Sequence, residues 1–259
     1  MTLSPRRILG LTLIGLALAC ALLADVIAPH DPLRSSVAFL SPPSAAHSLG
    51  TDELGRDVLS RVIYGARTSL IIGFGAALVA MTIGAPVGLA AGYLGGRIDM
   101  VTVVLIDLFV SLPGLVLALV ITVMVGPSLQ NLALVLGFVM WPSVARLIRG
   151  QVLAIREATF VEAARAVGGT PAWIISQHIW PNTRRVVAAQ FAVTVSFAIF
   201  TSSSLSFLGL GIPPPTPDWG GMVRAGYDFL AINPLLSLGP GAAVGLTVLG
   251  FYLVGSSVE

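Results

Sequence analysis

Little in this sequence is equipped for covalent chemistry. Its three histidines, His30, His47 and His178, lie outside the long apolar runs and far apart in the chain, and neither H-E-x-x-H nor G-x-S-x-G occurs. An intramembrane enzyme needs a nucleophile with a base in reach, and no apolar run supplies that pair. Cys20 is the only cysteine and sits among apolar residues, which suits a small buried hydrophobe and excludes an intrachain disulfide or a thiolate metal cluster. All 14 basic residues are arginines. The lysine that a phosphate-cradling P-loop or a protein kinase needs is therefore absent. The chain is expected to be non-catalytic, with no catalytic residue, no metal site and no bound cofactor of its own.

A few polar groups do invite a role. Asp107 stands inside an apolar run, where a carboxylate costs about 2.5–3.5 kcal/mol and must face protein or water. Arg146 and Arg149 lie at comparable depth at the end of the next run, so a structural ion pair is expected, with a substrate contact as the alternative. Thr201, Ser202, Ser203, Ser204 and Ser206 surround half of a later run with hydroxyls. Some can bond back to carbonyls one turn earlier; others could line a polar pathway. No ring of like charge lies within the runs, which argues against a selective ion channel.

The elements that must position these groups follow from composition. With 56% apolar and 10% charged residues and a mean hydropathy of +0.93, the chain lacks the roughly 25% charged residues of a soluble domain. It is expected to be an all-α integral membrane protein. About 20 apolar residues are needed to cross roughly 30 Å of hydrocarbon, and six stretches qualify: Ile8–Ala28, Ser69–Leu94, Met100–Val125, Asn131–Ile148, Val186–Leu208 and Leu235–Val254. Pro142 and Arg146 interrupt the end of the fourth. The first lacks a small-residue cleavage site and is expected to remain as an anchor. With the N-terminus inside, nine arginines face the cytoplasm and five the exterior, so both termini are expected to be cytoplasmic.

Two outer segments stand out. Thr51 can cap a helix beginning Asp52-Glu53, with Leu54, Val58, Leu59, Val62 and Ile63 as an apolar stripe and Asp52/Arg56 and Asp57/Arg61 as i,i+4 pairs. This predicts an amphipathic helix lying on the outer membrane face. The second segment, IPPPTPDWGG (Ile212–Gly221), has a stiff proline-rich backbone, and Trp219 suits the interfacial belt. Within the second span, Ala80, Gly84, Gly88 and Gly92 recur every four residues, a spacing that lets another helix approach closely.

The inner loop between the fourth and fifth spans, residues 149–185, is far longer than the other inner connection, Gly95–Asp99. Locally it encodes two short helices with a sharp joint. Gly168-Gly169 supply a permissive turn, Thr170 the next N-cap and Pro171 a pre-set first position, while Pro181 is expected to stop the second helix. Such a knob at a membrane surface is suited to being gripped by a cytosolic partner.

The spacing E-A-A-x3-G (Glu162, Ala163, Ala164, Gly168), with Pro181 thirteen residues on, resembles the EAA loop of binding-protein-dependent ABC importer permeases. The resemblance covers nearly the whole chain and narrows to the C-type permease of dipeptide, oligopeptide and nickel importers. It rests on PPSAAHSLGTDELGRDVLSRVIYGARTSL (Pro42–Leu70), WPSVARLIRGQVL (Trp141–Leu153), VEAARAVGG (Val161–Gly169) and LSFLGLGIPPPTPDWGGM (Leu205–Met222). It implies a type I importer permease fold: six spans and a coupling helix around Glu162–Trp173 seated in an ATPase subunit. Residues 1–68 would hold the first span and the outer segment, and residues 69–259 the permease core. Glu162 and Arg165 would be polar contacts to the ATPase, and Arg56, Asp57, Arg61 and Trp219 would dock a substrate-binding protein.

The implied partners are a homologous second permease, one or two cytosolic ATPase subunits that carry ATP and Mg, an extracytoplasmic binding protein and the lipid membrane, with no nucleic acid. The expected location is the inner cell membrane, and the expected cargo is dipeptides or oligopeptides, with nickel chelates or haem as alternatives. Three departures accompany the resemblance. Trp180 replaces the usual Leu, Val104 replaces an Arg one turn before Asp107, and the charged tail beyond the sixth span is missing by Glu259. A secondary transporter working alone would call for inverted repeats; none is convincing here, and that reading leaves the long inner loop unexplained.

Overall fold

A computed structural model describes residues 4–257; Glu259, and with it the question of the tail, lies outside the described residues. Those residues are helical apart from turns, loops and one isolated bridge between Thr51 and Asp57. Ser4 caps α1 (Pro5–Leu22), and a short α2 (Ala24–Ile27) follows. An irregular segment then leads to α3 (Val58–Leu94), which continues through α4 (Gly96–Ser111) and α5 (Gly114–Val125) to α6 (Leu129–Ile155). Two short helices come next, α7 (Thr159–Ala166) and α8 (Pro171–Ile174). A π-helical turn (Ile175–Ile179) joins α8 to α9 (Trp180–Phe207), and α10 (Trp219–Tyr227) and α11 (Leu235–Ser256) complete the chain.

Among the described residues, five helices are long and apolar enough to cross a membrane: α1, α3, α6, the run Pro171–Phe207 and α11, with α4 and α5 together as a bent sixth candidate. The third expected span is not one straight helix. Leu112 takes the extended conformation that a following proline imposes (φ −89°, ψ 136°), and α4 and α5 meet at 84° around Leu112-Pro113. Pro142 has the opposite outcome: α6 runs through it to Ile155. Prolines inside membrane helices are tolerated where neighbouring helices and local adjustment re-satisfy the freed backbone.

The helix expected from Thr51 does not form. Gly50 and Gly55 hold positive φ (80° and 70°) and turn the chain back on itself, and Thr51 bridges to Asp57 instead of capping. The cap is Asp57, which accepts the Ser60 amide at 2.8 Å. Val58, Leu59, Val62 and Ile63 thus belong to the first turns of the 37-residue α3, which passes residue 68 without a break. Leu54 is left exposed in the turn.

The small-residue stripe of α3 meets α6. An added Cβ would lie 2.7 Å from the Trp141 carbonyl oxygen at Gly84, 2.6 Å from that of Ala145 at Gly88 and 2.7 Å from Val152 Cβ at Gly92. The two backbones are as close as side-chain-free positions allow. Around this seam α9 packs on α3, α11 on α9 and α1, and α10 on α9 and α11. Gly88→Ala should therefore destabilise the chain by about 1–3 kcal/mol. Gly15→Ala, in α1 with open space around it, should be neutral or slightly stabilising. Thermal unfolding of the two variants in detergent, side by side, checks this.

Candidate functional site

The elbow formed by α7 and α8 is held from beneath. Val161, Ala164, Ile174 and Ile179 are buried in one cluster with Met81 and Tyr93 of α3 and Val144, Ile148 and Val152 of α6. The joint closes as a Schellman turn: the Gly169 amide donates to the Ala164 carbonyl at 3.0 Å and the Gly168 amide to that of Arg165 at 2.9 Å. Gly168 has φ +83°, which L side chains resist. Thr170 accepts the Trp173 amide, and Pro171 takes the first position of α8.

Pro181 does not end this helix. The π turn just before it widens the backbone where a proline ring would meet the carbonyl of Gln177, and helical structure continues from Pro171 to Phe207. The outward surface of the elbow carries Phe160, Glu162, Ala163, Val167 and Trp173, with Val167 82% exposed at the tip. Trp180 is also exposed, at 41%. Arg165 turns back and lies 5.3 Å over the Tyr93 ring, and Arg156 donates to the Gly92 carbonyl at 3.2 Å. Tyr93 and Arg156 thus tie the elbow to the end of α3. Neither had a signal in the local sequence.

Asp107 and Arg146 meet at 2.6 Å. Arg149 takes a different acid: its guanidinium grips Asp99, with Nη2 at 2.7 Å from Oδ2. Two antiparallel rungs therefore join α4 to α6. The outer rung lies on the surface of this chain, with side chains 63% (Asp107) and 50% (Arg146) exposed. Val104 is exposed on the same helix.

The hydroxyls of α9 divide. Thr201, Ser202 and Ser204 donate to the carbonyls of Phe197, Ile199 and Phe200. Ser203 and Ser206 are buried against α10, where an added Cβ on Gly220 would lie 2.3 Å from the Ser203 carbonyl oxygen. Of these residues Ser206 alone lines a cavity of about 570 Å³ at the opposite face from the elbow, together with Asp52, Arg56, Arg61, Pro213, Pro214 and Asp218. Its hydroxyl lies beside the Asp218 carboxyl without a well-aligned hydrogen bond.

The residues expected to dock an outside partner are buried. Asp52 accepts the Arg56 amide at 2.9 Å and Nε at 2.7 Å, inside a turn and not along a helix. Arg61 donates to the Pro32 carbonyl at 3.0 Å and sits 3.5 Å from Asp52. Trp219 is 2% exposed, its Nε1 donating to the Val62 carbonyl at 2.8 Å and its ring filling the space left by Gly65. These side chains lock the outer segment and α10 onto the head of α3. They present almost no free surface, and Trp219 is a core residue, not an interfacial one. The fold also brings His30 and His47 together against Asp57, three residues that the sequence left apart.

Residues 84–258 match the family described as binding-protein-dependent transport system inner membrane component. The chain is 38% identical over 252 residues to the dipeptide transport system permease protein of Bacillus subtilis strain 168, covering 96% of this chain and 79% of that protein. It is 37% identical over 257 residues to the dipeptide transport system permease protein of Alkalihalophilus pseudofirmus OF4 (96% and 84% covered). To the glutathione transport system permease protein of Pectobacterium atrosepticum it is 37% identical over 217 residues (84% and 72% covered). Among solved structures, a chain from inward-facing conformations of the MetNI methionine ABC transporter superposes with a TM-score of 0.64 at 20% identity, covering 76% of this chain and 93% of that one. That likeness concerns the fold alone.

Two measurements follow from these geometries. Asp107→Arg and Arg146→Asp should each lower the amount of assembled protein in the membrane, and the double variant should recover most of the loss; a double variant no better than the singles would show that the rung does not matter. Burial pushes the Asp218 carboxyl up while it caps α10 by accepting the Gly221 amide at 2.9 Å. A carboxyl raised in the fold opposes folding once pH exceeds its unfolded value, and this penalty disappears in acid. Asn caps as well as Asp. Asp218→Asn should therefore raise thermal stability at about pH 8 and give no gain at about pH 4, as read by unfolding across that range.

Proposed function

The chain belongs to the family of binding-protein-dependent transport system inner membrane components, and from that premise we propose that it is the permease subunit of an ATP-driven importer of dipeptides or short oligopeptides. The observation that carries this reading is the elbow. A two-helix knob, packed into α3 and α6 but exposed at its tip, stands on a chain whose relatives are dipeptide and glutathione permeases over most of their length. Nickel chelates and haem, the alternative cargoes, draw no support from these relatives.

In this reading the chain is not an ATPase. Partner subunits bind ATP and Mg, and Glu162, Ala163, Val167 and Trp173 form the surface they grip. The elbow faces the cytoplasm, both termini lie on that side, and α10 with the proline-rich segment faces outward toward a substrate-binding protein. A second, homologous permease completes the pathway, since this bundle is packed along its own α3–α6 seam. The partner's surface includes the outer Asp107–Arg146 rung, whose half-exposed charges need protein or water beside them. Residues 69–259 form the permease core; the division from residues 1–68 falls inside α3, so the two parts share one helix.

The coupling step is a rigid-body one. When the ATPase subunits close on ATP, the knob is displaced. Since α8 continues into α9 as one run of 37 residues, about 55 Å at 1.5 Å per residue, the displacement reaches the turn that carries Ser202–Ser206. Packed helices move between discrete arrangements rather than deforming, and nucleotide supplies the bias by binding one arrangement better.

Gly168→Val tests this. The side chain has open space around it, so the strain comes from φ +83° alone, and the elbow should lose its joint while the spans insert normally. In proteoliposomes holding the full complex, peptide uptake should fall by at least about tenfold while ATP hydrolysis persists, the equivalent of about 1.4 kcal/mol in coupling. Uptake and hydrolysis both at wild-type level would overturn the lever.

A further inference from the structure

At the head of α3, away from the elbow, three potential ligands converge. His47 Nδ1 lies 2.9 Å and His30 Nδ1 3.8 Å from the same oxygen of Asp57, Oδ1. The three ligand atoms all fall within 4.8 Å of one another, and the two imidazole rings stand 4.7 Å apart. Ligands at about 2.0–2.1 Å around a tetrahedral ion are separated by about 3.3 Å, a value between the two distances observed here. From this geometry we propose that His30, His47 and Asp57 form a binding site for a borderline divalent cation, best matched by Zn²⁺, with a fourth position open to water.

The surroundings have the features of a built site. Asp57 is 2% exposed, and its second oxygen, Oδ2, is occupied by the Ser60 amide at 2.8 Å and hydroxyl at 2.7 Å. Oδ1 is left facing the two rings. Such outer partners orient a carboxylate ligand.

The histidine backbones are also fixed. The Ser60 hydroxyl accepts the His30 amide at 3.0 Å, Pro29 and Pro32 stiffen that turn, and the His47 loop is closed by its bonds to Ser44 and Gly50. His30 is the movable member, its side chain 42% exposed. It borders an open cavity of about 580 Å³ that also carries Asp31 and an Asp25 already paired with Arg67 at 2.7 Å. Imidazole pairs with a carboxylate favour zinc and its neighbours over the hard ions Mg²⁺ and Ca²⁺.

The hydrogen bond from His47 to Oδ1 accounts for one ring, whereas His30 Nδ1, at 3.8 Å, is beyond hydrogen-bond reach of that oxygen. One divalent ion would engage both rings and the carboxylate. Occupancy would fasten residues 28–57 to the head of α3, and a ligand that binds only the folded state raises its stability.

The test uses the purified complex in detergent, carrying no histidine tag and free of nucleotide, titrated with Co²⁺. Wild type should develop visible absorption of a four-coordinate site at one ion per chain, displaced by Zn²⁺. His30→Ala, which removes a half-exposed ring and leaves the Asp57 cap intact, should weaken Co²⁺ binding by at least about tenfold, and His30→Ala with His47→Ala should abolish it. Zn²⁺ should raise the unfolding temperature of wild type but not of His30→Ala. The proposal is overturned if wild type shows no Co²⁺ band, or if the band survives unchanged in the double variant.

Discussion

The approach of α3 to α6 is the contact on which the rest of the molecule stands. In a bilayer, lipid tails solvate leucine as well as protein does, so helices associate through close van der Waals packing. The row Ala80, Gly84, Gly88, Gly92 permits that approach, and Trp141, Val144, Ala145, Ile148 and Val152 fill it from α6. The same residues that close the seam at its inner end, Val144, Ile148 and Val152, also form the bed for Val161, Ala164, Ile174 and Ile179 of the elbow. Separating the helices would therefore remove the base of the knob. The transport reading depends on van der Waals contact before it depends on any charge.

The charges work on top of that frame. Arg149–Asp99 and Arg146–Asp107 cross-link α4 to α6, so the half of the broken third span next to the elbow moves with the helix that leads into it. Beyond Pro113 the other half, α5, turns away by 84° and carries no such link. The bend divides this segment into a part tied to the elbow side by charge and a part, α5, whose Ala118 is buried in a cluster with Leu132 and Leu136 of α6 and Ala198 of α9. A straight helix could not separate the two tasks.

What the sequence made legible was mostly local and periodic. The four-residue spacing of small residues, the Gly168-Gly169-Thr170-Pro171 joint and the need of Asp107 for a cation each follow from one helix turn or one dipeptide, and each appears in the fold. The errors came where two local patterns competed. Asp52/Arg56 and Asp57/Arg61 have helical spacing, yet Gly50 and Gly55 at positive φ redirected the chain, and a tight turn met the Asp52–Arg56 pairing equally well. Pro142, Pro113 and Pro181 are chemically identical but behave differently, since only neighbouring elements decide whether a freed carbonyl is re-satisfied. Trp219 looked interfacial because no local rule reveals that Gly65, over 150 positions earlier, leaves room for its ring. Long-range pairs such as Arg165–Tyr93 were invisible for the same reason.

These long-range pairs share a property that bears on how α3 behaves. At one end Asp57 caps it, Arg61 reaches Pro32 and Trp219 bonds Val62; at the other Arg165 covers Tyr93 and Arg156 holds the Gly92 carbonyl. Buried ion pairs such as Asp52–Arg56 add little net stability, since desolvation offsets most of their attraction. What they enforce is position, because breaking one leaves a charge without a partner. A helix fastened in this way at both ends cannot slide or rotate alone; it must carry the outer cap and the elbow with it or stay still. The long helix α9 packs along α3 as well, across the contacts of Gly73 with Val195 and Ile199. There Gly73 meets the branched side chains of Val195 and Ile199, and the contact is one of van der Waals packing.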